Sequence, residues 1–354
     1  MASVHDDPAP AARDRPRTGR AANVALALAS LAFGGLLLEV GVRVYAWSIG
    51  RGFWENPLHF ISPFFTSDGW PAPYRDGDVL VFKEGERVPR EKPPGEIRVV
   101  CLGGSTTLPG VDAEGVSYPR ALEGLLQGRF PGASIHVLNA GENAFSTAHS
   151  LVNFALRVLD AQPDIVTEYE AINDLSVNFF GTQTESDYAN KYLTPYFLAF
   201  RHRTGLVAAL GHVSRLVRIL DNRLELFRAG GPGYDEHRDW RPPLPYFRRN
   251  LRSMVAVART HGVGIVLGTQ AARSTRRTTE GFDAYLKATR EVAAELGVPL
   301  ADVAGVVTGD ELFVDDVHTT SEGARAVARA WLDPVAQLVS ERLHRRDAVA
   351  TPPG

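Results

Sequence analysis

A serine in the first third of the sequence and an aspartate–histidine pair near its end have the residue types of nucleophilic catalysis. Ser105 follows Gly103 and Gly104 at the end of the apolar run IRVVCL, and two glycines allow a sharp turn that leaves the serine exposed. Asp315 precedes His318 closely enough for a carboxylate to orient an imidazole whose other nitrogen accepts a proton from a serine. Gly-Gly-Ser is also ordinary turn chemistry, so this serine alone is a weak signal.

Two further strand ends carry small or amide residues that can stabilise an oxyanion. Gly141, in Asn139-Ala140-Gly141, permits close approach of a backbone N–H, and Asn173 offers a side-chain donor. Together with the Ser105 amide, these groups supply three donors that can converge on one oxyanion. Asn and Gly also end strands because they form turns, so that alternative stays open for each residue taken singly.

Other kinds of site have less support in the sequence. Asp315 and His318 are residue types that ligate metals, but no second His/Asp cluster with ligand spacing accompanies them, so we expect no metal site. The sequence contains neither the phosphate-loop pattern Gly-x-x-x-x-Gly-Lys-Ser/Thr nor the Gly-x-Ser-x-Gly elbow of α/β-hydrolases. The single cysteine, Cys101, excludes an internal disulfide, and a net charge of -3 gives no field that favours nucleic acid. We therefore expect no cofactor and no nucleic-acid partner.

The segments that must position these residues alternate between short apolar runs and amphipathic stretches. With 354 residues, 44% of them hydrophobic, the chain has room for one large domain or two ordinary ones. Strands that alternate with helices predict an α/β fold, a three-layer α/β/α sandwich in which ligands bind at the carboxyl ends of the strands. The predicted strands are 97–102, 135–138, 164–169 and 263–267, with a weak fifth run at 298–303, and the predicted helices are 118–130, 148–160, 246–260, 282–296 and 321–343.

Composition divides the rest of the chain. The segment at about 175–245 breaks the alternation, and we interpret it as an insertion with many aromatic residues and an amphipathic stretch at 206–227. Its aromatic residues suit a lid, a sugar-stacking wall or the core of a helical subdomain. The predicted divisions are a disordered cytoplasmic tail at 1–20, a transmembrane helix at 21–47, a juxtamembrane linker at 48–95 with a short strand at 79–82, the α/β domain at 96–345 and a disordered tail at 346–354.

The apolar run near the N-terminus predicts a single membrane-spanning helix. Residues 21–38 contain no charge and, at about 1.5 Å per helical residue, cover about 27 Å of a hydrocarbon core roughly 30 Å thick. The helix continues through Glu39 and Arg43, which are spaced for a helical ion pair. Arginines before the run predict a cytoplasmic N-terminus and an extracytoplasmic domain. The alternative is a cleaved signal peptide, although a cut at the small residues 27–30 would fall inside the apolar run.

Taken in order, the four motifs resemble the sequence blocks of the Ser-Gly-Asn-His (SGNH/GDSL) hydrolase superfamily. The resemblance covers about 96–343 and suggests a membrane-anchored, bacterial-type member. It implies a flavodoxin-like parallel sheet of about five strands and a serine esterase, lipase or acyltransferase mechanism. The roles it implies are Ser105 as nucleophile, His318 as base and Asp315 as its orienter, with the Ser105 amide, the Gly141 amide and the Asn173 side chain as oxyanion hole.

Two positions depart from the pattern of that superfamily. Gly104 stands where the first block has the Asp of Gly-Asp-Ser, and Ala171 stands where the third has the Gly of Gly-x-Asn-Asp. Neither change removes a group from the proposed chemistry. We expect the first to alter the hydrogen bonding around the Ser105 turn and the second to narrow the pocket by a methyl group.

The resemblance and the apolar helix together predict a serine esterase that acts through an acyl-enzyme. Its expected partners are O-acyl esters, with short acyl groups on envelope sugars or lipids, and the membrane that holds the helix. If a glycan or other hydroxyl takes the place of water, the same residues make an O-acyltransferase. A non-catalytic binding protein on the same fold is the third possibility. The sequence does not determine the oligomeric state.

Overall fold

A five-stranded parallel sheet lies at the centre of the structure. The computed structural model describes residues 19–48, 72–110, 112–180, 185–192, 206–228, 244–273 and 281–350. The strands in these residues are β1 Tyr74–Asp76, β2 Val79–Val81, β3 Arg87–Pro89, β4 Glu96–Gly103, β5 Ser134–Asn139, β6 Ile165–Tyr169, β7 Gly264–Gly268 and β8 Leu300–Ala301. Strands β4 to β8 form the central sheet in the order β5-β4-β6-β7-β8, and β1 to β3 form a small antiparallel sheet.

Helices cover both faces of the central sheet. Those in the described residues are α1 Gly19–Ser48, α2 Tyr118–Arg129, α3 Thr147–Leu156, α4 Ile172–Ser176, α5 Ala189–Tyr192, α6 Leu206–Val213, α7 Arg215–Arg228, α8 Leu244–Thr260, α9 Phe282–Leu296, α10 Val303–Val306 and α11 Ser321–Ala350. Ile97, Val99 and Cys101 of β4 pack in one apolar cluster with α2 and α11, whereas Val100 and Leu102 pack in a second with α3, α8 and α9. Because both faces of β4 are buried, its run of apolar residues hardly alternates with polar ones.

The strand order brings the motifs to one edge of the sheet. It corresponds to the flavodoxin-like order 2-1-3-4-5, so the prediction of an α/β/α sandwich with a five-stranded parallel sheet is confirmed. Gly103 at the end of β4 pairs with Tyr169 at the end of β6, so these two strands end side by side. The segments that follow β4, β5 and β6 therefore carry Ser105, Gly141 and Asn173 to the same edge.

Part of the segment interpreted as a linker is folded onto the domain. Strands β1 to β3 lie within the predicted linker 48–95, and Leu80 and Val88 are buried in the same apolar cluster as β4. The linker interpretation therefore does not hold for residues 72–95, and residues 49–71 lie outside the described part of the chain. The strand predicted at 79–82 is present as β2, whereas β1 and β3, with three residues each, are too short to show a reliable alternation.

Helix boundaries differ from the prediction chiefly at the C-terminus. Helix α11 continues to Ala350 instead of ending at residue 343, so much of the predicted tail at 346–354 is helical. The tail predicted at 1–20 lies outside the described residues except for its last two positions, with which α1 begins. The weak fifth run is a strand, β8, whose two residues pair with the end of β7.

Most of the described residues of the insertion are helical. The amphipathic stretch predicted at 206–227 forms the hairpin of α6 and α7, which contact each other extensively. Phe179, Tyr188 and Tyr192 are buried together in a small apolar cluster of their own. Of the alternatives for the insertion, this burial favours a helical subdomain that uses its aromatic residues as core.

Gly268 provides a test of the packing between the sheet and α11. A Cβ at this position would overlap Cζ2 of Trp331, whose side chain is completely buried. We expect Gly268→Ala to lower the free energy of unfolding by about 1–3 kcal/mol, because an overpacked core forces neighbouring side chains to move. Urea denaturation measures the change.

Gly124→Ala is the matched control for Gly268→Ala. Gly124 lies exposed in α2, and nothing stands within 4 Å of the Cβ that the substitution adds. There the change should be neutral or should stabilise the protein by up to about 1 kcal/mol, since alanine favours helix. Equal effects of the two substitutions would contradict the packing described for Trp331.

Candidate active site

The turn after β4 presents Ser105 at the edge of the sheet. Gly103 has φ 150°, which side-chain-bearing residues rarely adopt, and a Cβ there would overlap Oγ1 of Thr107. Residues Ser105–Thr107 form a single 3₁₀ turn. It is closed by a hydrogen bond from the Leu108 N–H to the Ser105 carbonyl at 3.2 Å. The glycine thus permits the sharp change of direction that exposes the serine hydroxyl.

His318 bridges the serine and the aspartate that the sequence singled out. Its Nε2 lies 2.8 Å from Ser105 Oγ, and its Nδ1 lies 2.7 Å from Asp315 Oδ2. The other carboxylate oxygen of Asp315 accepts hydrogen bonds from the N–H groups of Val317 at 2.9 Å and His318 at 2.8 Å. The structure therefore brings Ser105, His318 and Asp315 into one hydrogen-bonded row.

The environment of Asp315 favours its charged form. Partial burial by itself raises the pKa of a carboxyl group, but hydrogen bonds from the His318 ring, the His318 N–H and the Val317 N–H outweigh that effect. The pKa of Asp315 is consequently well below its usual range. An ionised carboxylate at Nδ1 holds the ring in the orientation that leaves Nε2 free to accept the serine proton.

The segment that carries His318 is fixed by its own backbone contacts. The Val314 N–H donates to the His318 carbonyl at 2.8 Å, and Phe313 pairs with Thr319 in an antiparallel bridge. In the segment after β7, the backbone N–H of Arg273 donates to the Asp316 carbonyl at 2.8 Å. These contacts close the loop before α11 and hold the imidazole beside the serine turn.

Asn173 lies against the glycine that precedes Ser105. The Cβ position of Gly104 is 2.8 Å from Asn173 Nδ2, so no side chain separates the amide from the serine turn. Glu170 Oε2 accepts a hydrogen bond from Asn173 Nδ2 at 3.2 Å, and Lys191 Nζ donates to Asn173 Oδ1 at 3.4 Å. One Nδ2 proton is used by Glu170, and an amide nitrogen carries a second.

The Gly141 amide has a partner inside the protein. Its N–H donates to Oδ1 of Asn139 at 2.9 Å, and a Cβ on Gly141 would come within 2.5 Å of Thr107 Cβ. The absence of a side chain therefore lets the segment after β5 pack directly on the serine turn. The amide can act as an oxyanion donor only after it leaves Asn139.

A small cavity opens beside the serine and the histidine. It has a volume of about 120 Å³, well below the roughly 300–1,000 Å³ of pockets for drug-sized ligands. Asn143 and Thr319 line it together with Ser105 and His318. Asn143 is a polar residue at the cavity that belongs to none of the four motifs.

Two buried ionisable residues at the site were also missed by sequence reasoning. Glu170 and Lys191 are both 2% exposed, and both contact Asn173. Burial, with a contribution from Asp174, raises the pKa of Glu170 to about 8. A signal for Glu170 was available, since it follows a buried strand directly, whereas the position of Lys191 depends on the fold of the insertion.

The donor set gives no indication of a metal centre. Among the residues that the structure describes, no three His, Cys, Asp or Glu side chains are grouped so that they could hold an ion. Asp315 and His318 instead bond to each other and to Ser105. The alternative of Asp315 and His318 as metal ligands therefore gains no support from the geometry.

A serine, a histidine and an aspartate at the carboxyl edge of a flavodoxin-like sheet define a site of the serine hydrolase class. A sequence model of the GDSL-like Lipase/Acylhydrolase family matches residues 101–326, which is more than half of the chain. The chain belongs to this family, and it is an ester hydrolase of the SGNH type. The resemblance drawn from the four motifs is thereby confirmed.

Several solved structures are similar to this chain at low identity. Axe2, an acetylxylan esterase from Geobacillus stearothermophilus, is 18% identical over 68% of this chain and 94% of its own, with a TM-score of 0.43. LAE5, an alpha/beta hydrolase enzyme from the metagenome of Lake Arreo in Spain, is 19% identical over 68% and 96%, with a TM-score of 0.44. The lipase/acylhydrolase from Enterococcus faecalis is 19% identical over the same shares, with a TM-score of 0.42. No curated protein matches the chain.

Asp315→Asn tests the part that the carboxylate plays. Asparagine can still accept the two backbone hydrogen bonds through Oδ1, but it neither fixes the histidine tautomer nor stabilises an imidazolium. We expect kcat for an aryl ester to fall about 10²- to 10⁴-fold, with a much smaller change in KM. Asp316→Asn is the matched control and should leave kcat within about twofold. A similar kcat for Asp315→Asn and the wild type would contradict the role described for Asp315.

Proposed function

We propose that this protein hydrolyses O-acyl esters through a covalent acyl-enzyme formed on Ser105. The observation that carries the proposal is the row Asp315–His318–Ser105, with Nδ1 on the carboxylate and Nε2 on the hydroxyl. In this arrangement one imidazole can remove the serine proton and later return a proton to the leaving alcohol.

The reaction proceeds in two halves. Ser105 Oγ attacks the ester carbonyl while His318 takes its proton, and the tetrahedral intermediate collapses as His318 protonates the departing alkoxide. Water then attacks the acyl-serine by the same route in reverse. The Ser105 N–H and the free Nδ2 proton of Asn173 are the proposed oxyanion donors, each contributing about 3 kcal/mol. Gly141 adds a third donor if its amide exchanges Asn139 for the oxyanion.

The surroundings of the site favour hydrolysis of short acyl esters. The cavity of about 120 Å³ beside Ser105 suits a small acyl group better than a long chain. The side chains of His318 and Asp315 are 32% and 56% exposed, so water reaches the catalytic row. A transferase must keep water from the acyl-enzyme, and this exposure favours the esterase over the O-acyltransferase.

The proposed location of the enzyme is argued from α1. This helix is long and apolar enough to cross a membrane, and its apolar side chains, such as Leu28 at 62% exposed, are not covered by the domain. We assign it as a single transmembrane anchor with the N-terminus in the cytoplasm, as the preceding arginines favour. The catalytic domain then lies outside, where acylated envelope sugars or lipids are its substrates.

Hydrolysis of short-chain aryl esters by the full-length protein in detergent tests the proposed chemistry. We expect Ser105→Ala and His318→Ala each to lower kcat by at least about 10³-fold, since the two residues act as a unit. Ser340→Ala and His344→Ala in α11 are the matched controls and should retain full activity. Equal activities of the wild type and the Ser105 variant would reject the serine mechanism. Acylated product formed from added sugar acceptors at the expense of hydrolysis would identify a transferase.

A further inference from the structure

Two ionic side chains fasten α1 to the hairpin of α6 and α7. Glu39 accepts hydrogen bonds from the N–H groups of Arg215 at 3.0 Å and Leu216 at 2.8 Å, at the start of α7. Arg43 donates to Glu39 at 2.6 Å and to the carbonyl of Val213, the last residue of α6, at 2.8 Å. A carboxylate thus meets the positive end of one helix and a guanidinium the negative end of the other, which the helix dipoles favour.

Most of the exposed side chains that the structure describes on the hairpin are apolar. On α7, Ile219, Leu220 and Leu224 are 38%, 59% and 46% exposed, whereas the side chain of Arg215 is buried at 1%. This distribution is the reverse of the one expected for a helix on a soluble domain. Arg223 lies on the same exposed arc, and its long side chain can extend its charge away from an apolar surface.

Helix α6 continues this apolar surface. Its exposed positions Val207, Leu210 and Val213 recur at intervals of three, so they share one face of the helix. Val213 is 70% exposed and immediately precedes the turn into α7. The two helices together therefore present six large apolar side chains to the outside within the described residues.

The position of Glu39 and Arg43 along α1 indicates what covers the apolar surface of the hairpin. Residues 21–38 span about 27 Å as a helix, so Glu39 and Arg43 lie where α1 leaves the hydrocarbon core. The end of α6 and the start of α7 are joined to α1 at that level, which places the exposed apolar side chains next to this junction near the surface of the bilayer. Apolar side chains at this depth meet acyl chains and headgroups rather than water.

We propose that the hairpin of α6 and α7 lies at the membrane–water interface on the extracytoplasmic side of the membrane that α1 crosses. Val207, Leu210, Leu220 and Leu224 are then inserted among the lipids. The protein then has two membrane contacts, the spanning helix and the interfacial hairpin, joined by Glu39 and Arg43. This proposal rests on α1 as a retained anchor and is independent of the esterase chemistry.

Site-specific quenching by spin-labelled lipids tests the interfacial hairpin. The full chain is reconstituted in phosphatidylcholine vesicles that contain lipid with a doxyl group at a shallow or a deep position of the acyl chain. A fluorescent thiol probe is placed by Leu220→Cys or Leu224→Cys, while the native Cys101 is buried and does not react. Leu28→Cys in the spanning helix is the positive control, and Leu156→Cys, 74% exposed on α3, is the matched exposed control.

We expect the probes on α7 to be quenched at least about twofold more by shallow than by deep doxyl lipid. The probe at Leu28 should be quenched by deep doxyl lipid, and the probe at Leu156 by neither. Quenching at Leu28 combined with none at Leu220 and Leu224 would overturn the interfacial hairpin alone. Lack of quenching at Leu28 would overturn the anchor and with it the hairpin, while leaving the esterase proposal unaffected.

A different observation concerns the carboxylate beside the serine turn. Glu170 Oε1 accepts hydrogen bonds from the N–H groups of Ala171 at 2.9 Å and Asn173 at 2.8 Å, and Oε2 accepts from Asn173 Nδ2 at 3.2 Å. A Cβ at Gly104 would overlap Glu170 Oε2. Positions 104 and 170 therefore compete for the same space, and a glycine at 104 makes room for the carboxylate of Glu170.

Lys191 holds the other end of the same amide. Its Nζ donates to the Asn173 carbonyl at 3.0 Å and to Ser176 Oγ at 2.6 Å, and it lies 3.4 Å from Asn173 Oδ1. An acceptor oxygen of Glu170 at Nδ2 and the Lys191 ammonium at Oδ1 fix which way the Asn173 amide points. The orientation with Nδ2 toward Gly104 is thus determined by hydrogen bonds with two buried side chains.

The geometry points to Glu170 as a positioning residue that provides, from the end of β6, the carboxylate that the Gly-Asp-Ser pattern places at position 104. It acts through Asn173 by directing the amide toward the oxyanion, and so it rests on the role proposed for Asn173. Because Glu170 fills this space, Gly104 departs from that pattern without leaving a void.

Substitutions that remove the carboxyl group from position 170, or move it to position 104, test this role. In Glu170→Gln the side chain keeps an oxygen that accepts from the two backbone N–H groups. Its amide NH2, which is a donor, then faces Asn173 Nδ2, which is also a donor. We expect kcat to fall about tenfold or more while KM stays within about threefold, because the donor acts in the transition state. The double variant Gly104→Asp/Glu170→Ala restores a carboxylate and should recover at least about tenfold in kcat over Glu170→Ala.

Controls separate this role from general stability and from the serine mechanism. Glu96→Gln, a buried carboxylate at the opposite end of β4, should lower the melting temperature but leave kcat unchanged. Full kcat in Glu170→Gln, or a folded double variant no faster than Glu170→Ala, would overturn the positioning role while Ser105→Ala remains inactive. An active Ser105→Ala would instead reject the proposed function itself.

Discussion

The hydrogen bond between His318 and Ser105 is the contact on which the rest of the site depends. It joins residues 213 positions apart in the sequence at 2.8 Å, so two distant segments must be placed with little tolerance. The serine side is set by β4 and the glycine turn after it. The histidine side is set by the start of α11, where Asp112 accepts hydrogen bonds from the N–H and the hydroxyl of Ser321 at 2.6 Å each. Asp112 thus ties the segment after the serine turn to the helix that follows the histidine.

The insertion between β6 and β7 contacts two distant regions, the surroundings of the serine turn and helix α1. Near its start, Lys191 bonds to Asn173 beside the serine turn. Farther along the chain, α6 and α7 are fastened to α1 through Glu39 and Arg43. A segment that looks like an interruption of the α/β pattern therefore contacts both Asn173, the proposed oxyanion donor, and α1, the proposed membrane anchor. Tyr188 and Tyr192 of the insertion pack in a small apolar cluster with Phe179.

Much of the fold and the catalytic row could be predicted from the sequence because their determinants are local. Apolar runs define β4 to β7, and the motifs around Ser105 and His318 each lie within a few residues. Of the small sheet β1 to β3, only β2 was predicted, as the strand at 79–82, because three-residue strands are too short to show a period and the sheet is held by packing on the domain.

The parts that could not be predicted depend on contacts between distant segments. Nothing local to Gly104 indicates that Glu170 occupies its space, and nothing near Lys191 indicates that it bonds to Asn173. The bond from the Gly141 amide to Asn139 depends likewise on how the segment after β5 turns. Motif spacing shows which residues are present at the sheet edge, but not which of their donors already have partners.

The most direct test of the central claim is identification of the acyl-enzyme. The full-length protein is mixed with an aryl acetate, quenched in acid within the first turnovers and digested for peptide mass spectrometry. Proton transfer from Ser105 to His318 predicts one added acetyl group on the peptide that contains Ser105, and no adduct there in Ser105→Ala. Rapid turnover with no acetyl group on Ser105, or with the acetyl group on another residue, would contradict a serine nucleophile at this site.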